Sequence, residues 1–216
     1  MKYFLGILFG YLVGGLNPSY VLGRIKGVDI RSTGSHNAGA SNTMIVIGKG
    51  WGVVVMFLDI LKASAVVLFC RIVWPECTYL PAAAGSACVL GHMFPCFLHF
   101  RGGKGFASLG GLILALDWRL FFVLLLLCIL VVLITDYVFV GALFASVAVP
   151  LSIGLFRHDW ISAACILPTT TGMFFRHREN FVRLSHGEEL GFSWLWKKNR
   201  YLFVKDRKNS RFQQHR

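Results

Sequence analysis

The sequence predicts an all-α integral membrane protein with about seven transmembrane helices. Of its 216 residues, 56% are hydrophobic, whereas a soluble domain has about 45 to 50%. The mean hydropathy is +0.62, and the lysines and arginines lie mostly in the connections between apolar stretches. We therefore expect a single membrane domain over residues 1–190 and a basic cytoplasmic tail over residues 191–216.

Seven apolar stretches are candidate spans, and they cover residues 3–22, 51–74, 80–100, 106–116, 120–134, 138–156 and 161–175. The first is interrupted at Asn17 and Pro18, but no small-residue cleavage site closes it, so we expect a span rather than a signal peptide. The fourth is short, because about 11 residues at a rise of ~1.5 Å cover only half of a ~30 Å hydrocarbon core. We expect it to be a short or partly buried helix.

The basic residues predict the orientation of the chain. They concentrate in the first long polar loop, in the loop at residues 101–104, and from Arg176 onward. The positive-inside rule places all three regions in the cytoplasm, while the nearly neutral connections suit the outer face. One crossing before the first basic loop puts the N-terminus outside. The later basic regions then require an even number of crossings between them, which seven or five spans satisfy and six do not.

A glycine-rich loop, Arg101-Gly102-Gly103-Lys104-Gly105, directly follows the third apolar stretch. Glycines can turn successive backbone amides toward an anion, and a lysine charge beside a low-dielectric membrane strengthens the contact. A tight turn that only fixes topology is the simpler alternative. The loop is not a nucleotide-binding P-loop, because the preceding glycine is missing and Gly105 stands where Ser or Thr would hold magnesium. The loop suggests a phosphorylated substrate.

Two further polar clusters fall on the same predicted cytoplasmic face. Residues 29–42 are rich in Ser, Asn and Gly, which favour compact turns, although a flexible loop has the same composition. Near the C-terminal end, His177 and Asn180 share one face of a predicted helix, where Glu179 can also pair with Arg183. We expect these clusters to converge on the glycine loop.

His92 lies inside an otherwise apolar stretch, just before the glycine loop. An ionisable side chain at that depth is costly unless it meets a partner or a cavity, so a functional role is its default interpretation. A hydrated position at the membrane interface is the structural alternative.

Other classes of site are disfavoured by spacing. The six cysteines have no Cys-x-x-Cys spacing and are best explained as small buried apolar residues, and the seven histidines are scattered. We therefore predict neither a metal nor a disulfide framework. The net charge of +12 is spread over membrane-flanking loops without a nucleic-acid motif, so anionic lipid headgroups are the expected partners. Residues 194–198 suit either an interfacial anchor or a solvated basic tail.

Three segments in order resemble the acyl-phosphate:glycerol-3-phosphate acyltransferase family of bacterial membranes, the PlsY family. They are Gly-Ser-His-Asn-Ala-Gly-Ala-Ser-Asn at residues 34–42, Gly-His-Met-Phe-Pro at 91–95 with the glycine loop, and His-Arg-Glu-Asn at 177–180. The resemblance implies seven spans in the bacterial inner membrane with a cytoplasmic active site. It implies transfer of a fatty acyl group from acyl phosphate to the 1-hydroxyl of glycerol 3-phosphate, without a cofactor, metal, coenzyme A or acyl carrier protein.

The resemblance also implies roles for individual residues. Ser35 and Asn37 would line one phosphate subsite and the glycine loop the other, while His177 and Asn180 would orient the acceptor or polarise the carbonyl. The departing phosphate would act as the base, with His92 or His177 as the protein alternative. The implied catalytic residues are Ser35, His92, Lys104, His177 and Asn180, and the implied phosphate-binding residues are Asn37, Arg101, Gly102, Gly103, Lys104 and Gly105.

One departure from the family pattern affects the chemistry. Ile45 stands where the family usually has an arginine, which removes charge-assisted hydrogen bonds to a phosphate. Arg31 or Lys49 is a candidate replacement. The sequence therefore leaves three interpretations open: this acyltransferase, an acyltransferase with a changed acceptor, or a non-catalytic membrane protein that binds or moves a phosphorylated lipid or metabolite.

Overall fold

In the computed structural model, which describes residues 1–195, every regular element is helical. The all-α prediction is confirmed, and residues 196–216 of the predicted tail at residues 191–216 lie outside the described residues. Two short 3-10 helices cover Cys96–Leu98 and Phe192–Leu195. The α-helices within this part of the chain are α1 Lys2–Gly15, α2 Pro18–Ile25, α3 Ala40–Val46, α4 Lys49–Val73, α5 Leu80–Met93, α6 Phe106–Leu116, α7 Trp118–Thr135, α8 Val138–Arg157 and α9 Trp160–Ser185.

Helices cover most of each of the seven predicted apolar stretches. Within residues 1–195, five helical segments are long and apolar enough to cross a bilayer, namely Lys2–Ile25, Lys49–Val73, Leu80–Leu98, Trp118–Thr135 and Val138–Arg157. Helix α6 has only 11 residues, as expected for the short fourth stretch, and α9 has 26 residues but is less apolar. The protein is a multi-pass membrane protein, and seven crossings stay a prediction.

Helix α5 forms the centre of the bundle and α7 lies at its periphery. Most of α5 is buried, and it contacts α1, α4, α6 and α9. Along α7, large apolar side chains such as Phe122, Leu126 and Leu133 are exposed. An apolar exterior of this kind suits contact with lipid, where burying apolar surface in the protein offers no advantage over leaving it in the bilayer.

Helix α1 packs against α5 at very short range because small residues recur along it. Gly6, Gly10 and Gly14 face α5, and a Cβ atom at Gly10 would overlap the carbonyl oxygen of Ala84. On the other side, a Cβ atom at Gly91 would overlap the carbonyl oxygen of Tyr11. Small residues spaced by four let two helix backbones approach in a membrane. This contact fixes the end of α5, from which the glycine loop leaves.

The first membrane segment breaks between α1 and α2, as the Asn-Pro pair predicts. The Asn17 side chain accepts a hydrogen bond from Tyr20 N at 2.8 Å, which caps α2, and Pro18 occupies its first turn. The Asn17 amide also donates to Ala38 O at 2.9 Å. The break thereby holds the polar loop that precedes α3.

The chain folds back onto the bundle after α9. Ser193 donates from its backbone N and its hydroxyl to the Asp136 carboxylate, at 2.6 and 2.8 Å, and Phe192 N donates to Asp136 O. Asp136 lies at the turn between α7 and α8. The first described residues of the predicted tail therefore pack against the membrane domain.

Candidate active site

The glycine loop folds back onto the end of α5. Gly102 N donates to Met93 O at 3.2 Å, and Gly103 N donates to His92 O at 3.0 Å. The amides of Gly102 and Gly103 are therefore already paired within the chain, and the role of these residues in binding phosphate stays a prediction. The backbone amides of Lys104 and Gly105 have no partner in the described part of the chain. They lead into the first turn of α6, whose amides also lack intrahelical partners.

Glycine is required at position 103, because His92 and Ala38 approach its Cα atom too closely for a side chain to fit. A Cβ atom there would overlap Nε2 of His92, and it would lie 3.0 Å from the carbonyl oxygen of Ala38. Gly103 therefore lies between α5 and the polar loop of residues 29–42. This contact confirms that the glycine loop and the polar loop of residues 29–42 meet.

Arg176 fixes the loop from the opposite side. Its Nε donates to Gly103 O at 3.2 Å and its Nη2 to Gly102 O at 2.8 Å. A guanidinium group suits two neighbouring carbonyl oxygens because its donors lie in one planar fork. The sequence pattern did not predict this role, because Arg176 is only the first residue of a long basic region there. Its position directly before His177 was the available signal.

Lys104 connects the loop to α9. Its ammonium group donates to Asn180 Oδ1, and Asn180 Nδ2 donates to Glu189 Oε1 at 2.6 Å. Arg183 pairs with the other carboxylate oxygen, with Nε 2.7 Å from Glu189 Oε2. The predicted pairing of Arg183 with Glu179 is therefore wrong, because the chain turns after α9 and brings the more buried Glu189 to Arg183.

Burial changes the acidity of Lys104. Desolvation is the main cause that lowers its pKa to about 8, and the nearby positive charge of Arg183 lowers it further, against a smaller opposing effect of Glu189. A lysine in this state is strongly attracted to an anion, because a phosphate would replace the lost hydration of the ammonium group.

His177 and Asn180 lie on one face of α9, as predicted, and both are buried. His177 Nδ1 lies 2.8 Å from Met173 O. A carbonyl oxygen can only accept, so Nδ1 carries the proton and Nε2 is the nitrogen left for a ligand in the neutral ring. The third cluster thus joins the glycine loop through Lys104 and Arg176.

Asn42 organises the first cluster. Its Oδ1 accepts from Ser35 N at 2.8 Å, and its Nδ2 donates to Ile30 O at 2.8 Å and to Thr33 O at 2.9 Å. The loop is therefore held by a fully buried side chain, which the sequence argument treated only as part of a polar pattern. Next to it, Asn37 Oδ1 is buried without a hydrogen-bond partner in residues 1–195.

The two candidate replacements for the missing arginine are engaged elsewhere. Arg31 forms two hydrogen bonds to Asp29, at 3.0 and 2.9 Å. Lys49 donates to Leu195 O and lies 5.7 Å from the centre of the Trp194 ring. Ile45 itself is half-buried in α3. Within residues 1–195, Lys104 and Arg176 are the cations bonded to Asn180 and to the glycine loop, whereas Arg101 is exposed.

His92 lies behind the loop. Its side chain is 4% exposed and contacts Asp59 and Lys62. In residues 1–195, no group of three or more His, Cys, Asp or Glu side chains is arranged to hold a metal ion. The described site contains the Lys104 ammonium group, the Arg176 guanidinium group, backbone amides, amide side chains and imidazoles.

The chain is similar to known proteins along most of its length. A family model described as "Glycerol-3-phosphate acyltransferase" matches residues 4–187. The chain belongs to this family. A glycerol-3-phosphate acyltransferase of Shouchella clausii is 37% identical over 85% of this chain and 92% of the relative. One from Lactiplantibacillus plantarum is 31% identical over 90% of this chain and 96% of the relative.

Solved structures of the family share the fold. The crystal structure of PlsY (YgiH), an integral membrane glycerol 3-phosphate acyltransferase, in its glycerol 3-phosphate form has a TM-score of 0.83. It is 31% identical to the chain and covers 93% of this chain and 100% of that one. The lysophosphatidic acid form has a TM-score of 0.74 at 31% identity, and covers 88% and 95%. Family membership and a membrane fold are established by these matches.

Proposed function

We propose that the protein transfers a fatty acyl group from acyl phosphate to the 1-hydroxyl of glycerol 3-phosphate. The observation that carries the proposal is the convergence of Lys104, the unpaired loop amides and the His177–Asn180 face at one site. Two phosphate-bearing substrates need neighbouring anion sites. Holding them in the right orientation can lower the activation free energy by about 7 kcal/mol. The family matches support the acceptor, because PlsY was solved in a glycerol 3-phosphate form.

Phosphate binding would begin by exchanging partners at Lys104. The ammonium group now donates to Asn180, and a phosphate oxygen is a stronger acceptor than a neutral amide. The backbone amides of Lys104 and Gly105, followed by the first turn of α6, would bind the remaining oxygens. Asn180 stays held by Glu189 and would then orient the acceptor. Ser35 and Asn37 would bind the second phosphate.

The acyl transfer needs no external reagent. The oxygen of the 1-hydroxyl attacks the acyl carbonyl carbon and forms the ester, while the bond between that carbon and the phosphate oxygen breaks. The phosphate leaves with the bonding electron pair and takes the hydroxyl proton, so that 1-acylglycerol 3-phosphate and phosphate are released. His177 Nε2, which carries no proton in the neutral ring, would accept a hydrogen bond from the 1-hydroxyl and orient it toward the acyl carbonyl carbon. Since the acyl phosphate is already activated, positioning supplies most of the catalysis.

We also propose a location. The family resemblance supports a bacterial cell (inner) membrane, and the basic loops that flank the site support an N-terminus outside and a site facing the cytoplasm. Residues 1–190 would form the acyltransferase domain and residues 191–216 a basic tail. Water-soluble glycerol 3-phosphate would then enter from the cytoplasm and the acyl chain from the bilayer.

A direct assay tests the proposal. The protein, purified in detergent, is incubated with palmitoyl phosphate and labelled glycerol 3-phosphate, and the labelled lipid product is measured. We expect 1-acylglycerol 3-phosphate from the unaltered protein and almost none from Lys104→Ala. A folded protein that forms no product would contradict the proposal.

Ile45 favours the second candidate function, binding or movement of a phosphorylated lipid or metabolite without acyl transfer. The cation implied by the family pattern is absent, and Arg31 and Lys49 are engaged elsewhere. Binding of glycerol 3-phosphate without product would support this candidate. Product formed by Ile45→Arg, but not by the unaltered chain, would trace the lost activity to this one position.

A further inference from the structure

Three ionisable side chains form a buried cluster between α1, α4 and α5, behind the glycine loop. Lys62 Nζ lies 2.7 Å from Asp59 Oδ1 and 3.0 Å from His92 Nδ1. The side chains are 10%, 2% and 4% exposed for Lys62, Asp59 and His92. Charged groups are rarely retained at this depth without a function, because a bilayer or a protein interior solvates them poorly.

Lys62 also contacts the end of α1. It donates to Gly14 O at 3.1 Å and to Leu16 O at 2.9 Å. The two carbonyl groups lie at the C-terminal end of α1, where a helix leaves acceptors unpaired and favours a cation. Asp59 Oδ1 has an ion-pair distance to Lys62 without hydrogen-bond alignment, and it serves as the counter-ion.

Both members of the pair contact the same ring nitrogen of His92. Nδ1 lies 3.0 Å from Lys62 Nζ and 3.2 Å from Asp59 Oδ1, so the pair fixes the orientation of the ring. Nε2 points at Gly103, since a Cβ atom on Gly103 would overlap it. The His92 carbonyl oxygen accepts from Gly103 N at 3.0 Å. His92 therefore supports Gly103 with both its backbone and its ring.

We propose that Asp59 and Lys62 are positioning residues, which hold the His92 ring against Gly103 and thereby fix the glycine loop for binding a phosphate ligand. The inference deepens the proposed function and rests on its site. It places Lys62 at a junction of three elements, because the same ammonium group contacts the end of α1, the Asp59 side chain of α4 and the His92 ring of α5. In this role, neither Asp59 nor Lys62 contacts the substrate.

The test removes both charges together. Losing Lys62 alone would leave a buried, uncompensated carboxylate and destabilise the protein, whereas replacing a buried pair by neutral groups of similar size is often neutral. We would compare the unaltered protein with Asp59→Asn/Lys62→Met. The control is Lys2→Met, the same substitution in the exposed pair of Lys2 and Glu76, whose nitrogen and oxygen lie 2.6 Å apart. Calorimetry measures the Kd of glycerol 3-phosphate without a donor, thermal melting measures folding, and turnover gives KM and kcat.

We expect the paired variant to melt near the unaltered protein, while Kd and KM for glycerol 3-phosphate rise about tenfold, the effect of losing one oriented hydrogen-bonding unit. The change in kcat should be smaller, and Lys2→Met should leave all values unchanged. A paired variant with unaltered Kd and KM would overturn the inference, since the pair would then serve stability alone.

Two His92 variants give a second readout. Gln offers a polar group to the Asp59–Lys62 pair, whereas Leu does not. We expect His92→Gln to keep a lower Kd than His92→Leu, and equal affinities in both would overturn the role of the polar contact between the His92 side chain and the pair. If the unaltered protein binds glycerol 3-phosphate but forms no product, the proposed function fails, while the comparison of Kd values still decides the positioning role.

Discussion

Lys104 on the glycine loop and Asn180 on α9 are joined by a hydrogen bond from the ammonium group to the amide oxygen. The two residues are 76 positions apart in the chain, and Glu189 holds the Asn180 amide nitrogen on the far side. The side chain of Asn180 is therefore fixed in the orientation that presents its oxygen to Lys104. A phosphate that enters the site must compete with this neutral acceptor for the lysine.

Asn180→Asp should raise KM for glycerol 3-phosphate about tenfold or more at neutral pH. The new carboxylate has nearly the same shape, but it would pair with Lys104 as an ion and compete with phosphate. It would also repel Glu189, which now accepts from the Asn180 amide. Steady-state kinetics and thermal melting measure the two effects.

A second substitution distinguishes competition with phosphate for Lys104 from repulsion between the new carboxylate and Glu189. Adding Glu189→Gln to Asn180→Asp should restore the melting temperature, because the two carboxylates no longer face each other, yet KM should stay high. Recovery of KM together with stability would show that competition at Lys104 is not the cause.

Much of this site was predictable from the sequence. Gly, Ser, Asn, His and Lys concentrated in three loops indicated an anion site, and the positive-inside rule placed those loops on one face. The sequence could not show that the amides of Gly102 and Gly103 are paired, since their partners, Met93 O and His92 O, are backbone atoms whose position depends on a sharp reversal after α5. Glu189 was missed for a similar reason: only the turn after α9 brings it to Arg183 and Asn180.

The affinity for phosphate substrates should fall as the pH rises through about 8. Burial lowers the pKa of Lys104 to about 8, so the free enzyme holds the charged form below that pH and loses it above. A phosphate ester with a second pKa near 6 is already a dianion in this range. The protein's loss of charge, rather than a change in the ligand, should therefore raise KM between about pH 7 and pH 9.5.

Lys104→Arg provides the control for this pH dependence. A guanidinium group stays protonated throughout this pH range, so KM should become nearly independent of pH. The absolute value of KM will differ, because a guanidinium group is larger than an ammonium group. A profile for Lys104→Arg that still rises near pH 8 would assign the titration to another group.

Arg176→Lys should lower kcat/KM about tenfold, equivalent to roughly 1.4 kcal/mol. Lysine keeps the charge but cannot present the planar fork that now contacts both Gly102 O and Gly103 O, so one loop carbonyl loses its partner. Arg178→Lys is the matched control, because Arg178 is exposed two residues further on and stacks on Phe175 at 4.3 Å. An Arg176→Lys variant with unaltered kcat/KM would mean that Arg176 acts only through its charge, and equal losses in the two variants would contradict a specific role of its two hydrogen bonds to the loop.

Gly10→Ala should lower the melting temperature in detergent, because its new methyl group would overlap the carbonyl oxygen of Ala84 and separate α1 from α5. Overpacking of this kind costs about 1–3 kcal/mol. Gly110→Ala, in α6, is the matched control, since the nearest atom to its added Cβ is Phe121 Cε2 at an ordinary 3.6 Å. Alanine is the better helix former by up to ~1 kcal/mol, so this variant should melt at the same temperature or higher. A Gly10→Ala variant as stable as Gly110→Ala would show that α1 can move away from α5 at little cost, and that this close contact does not fix the end of α5.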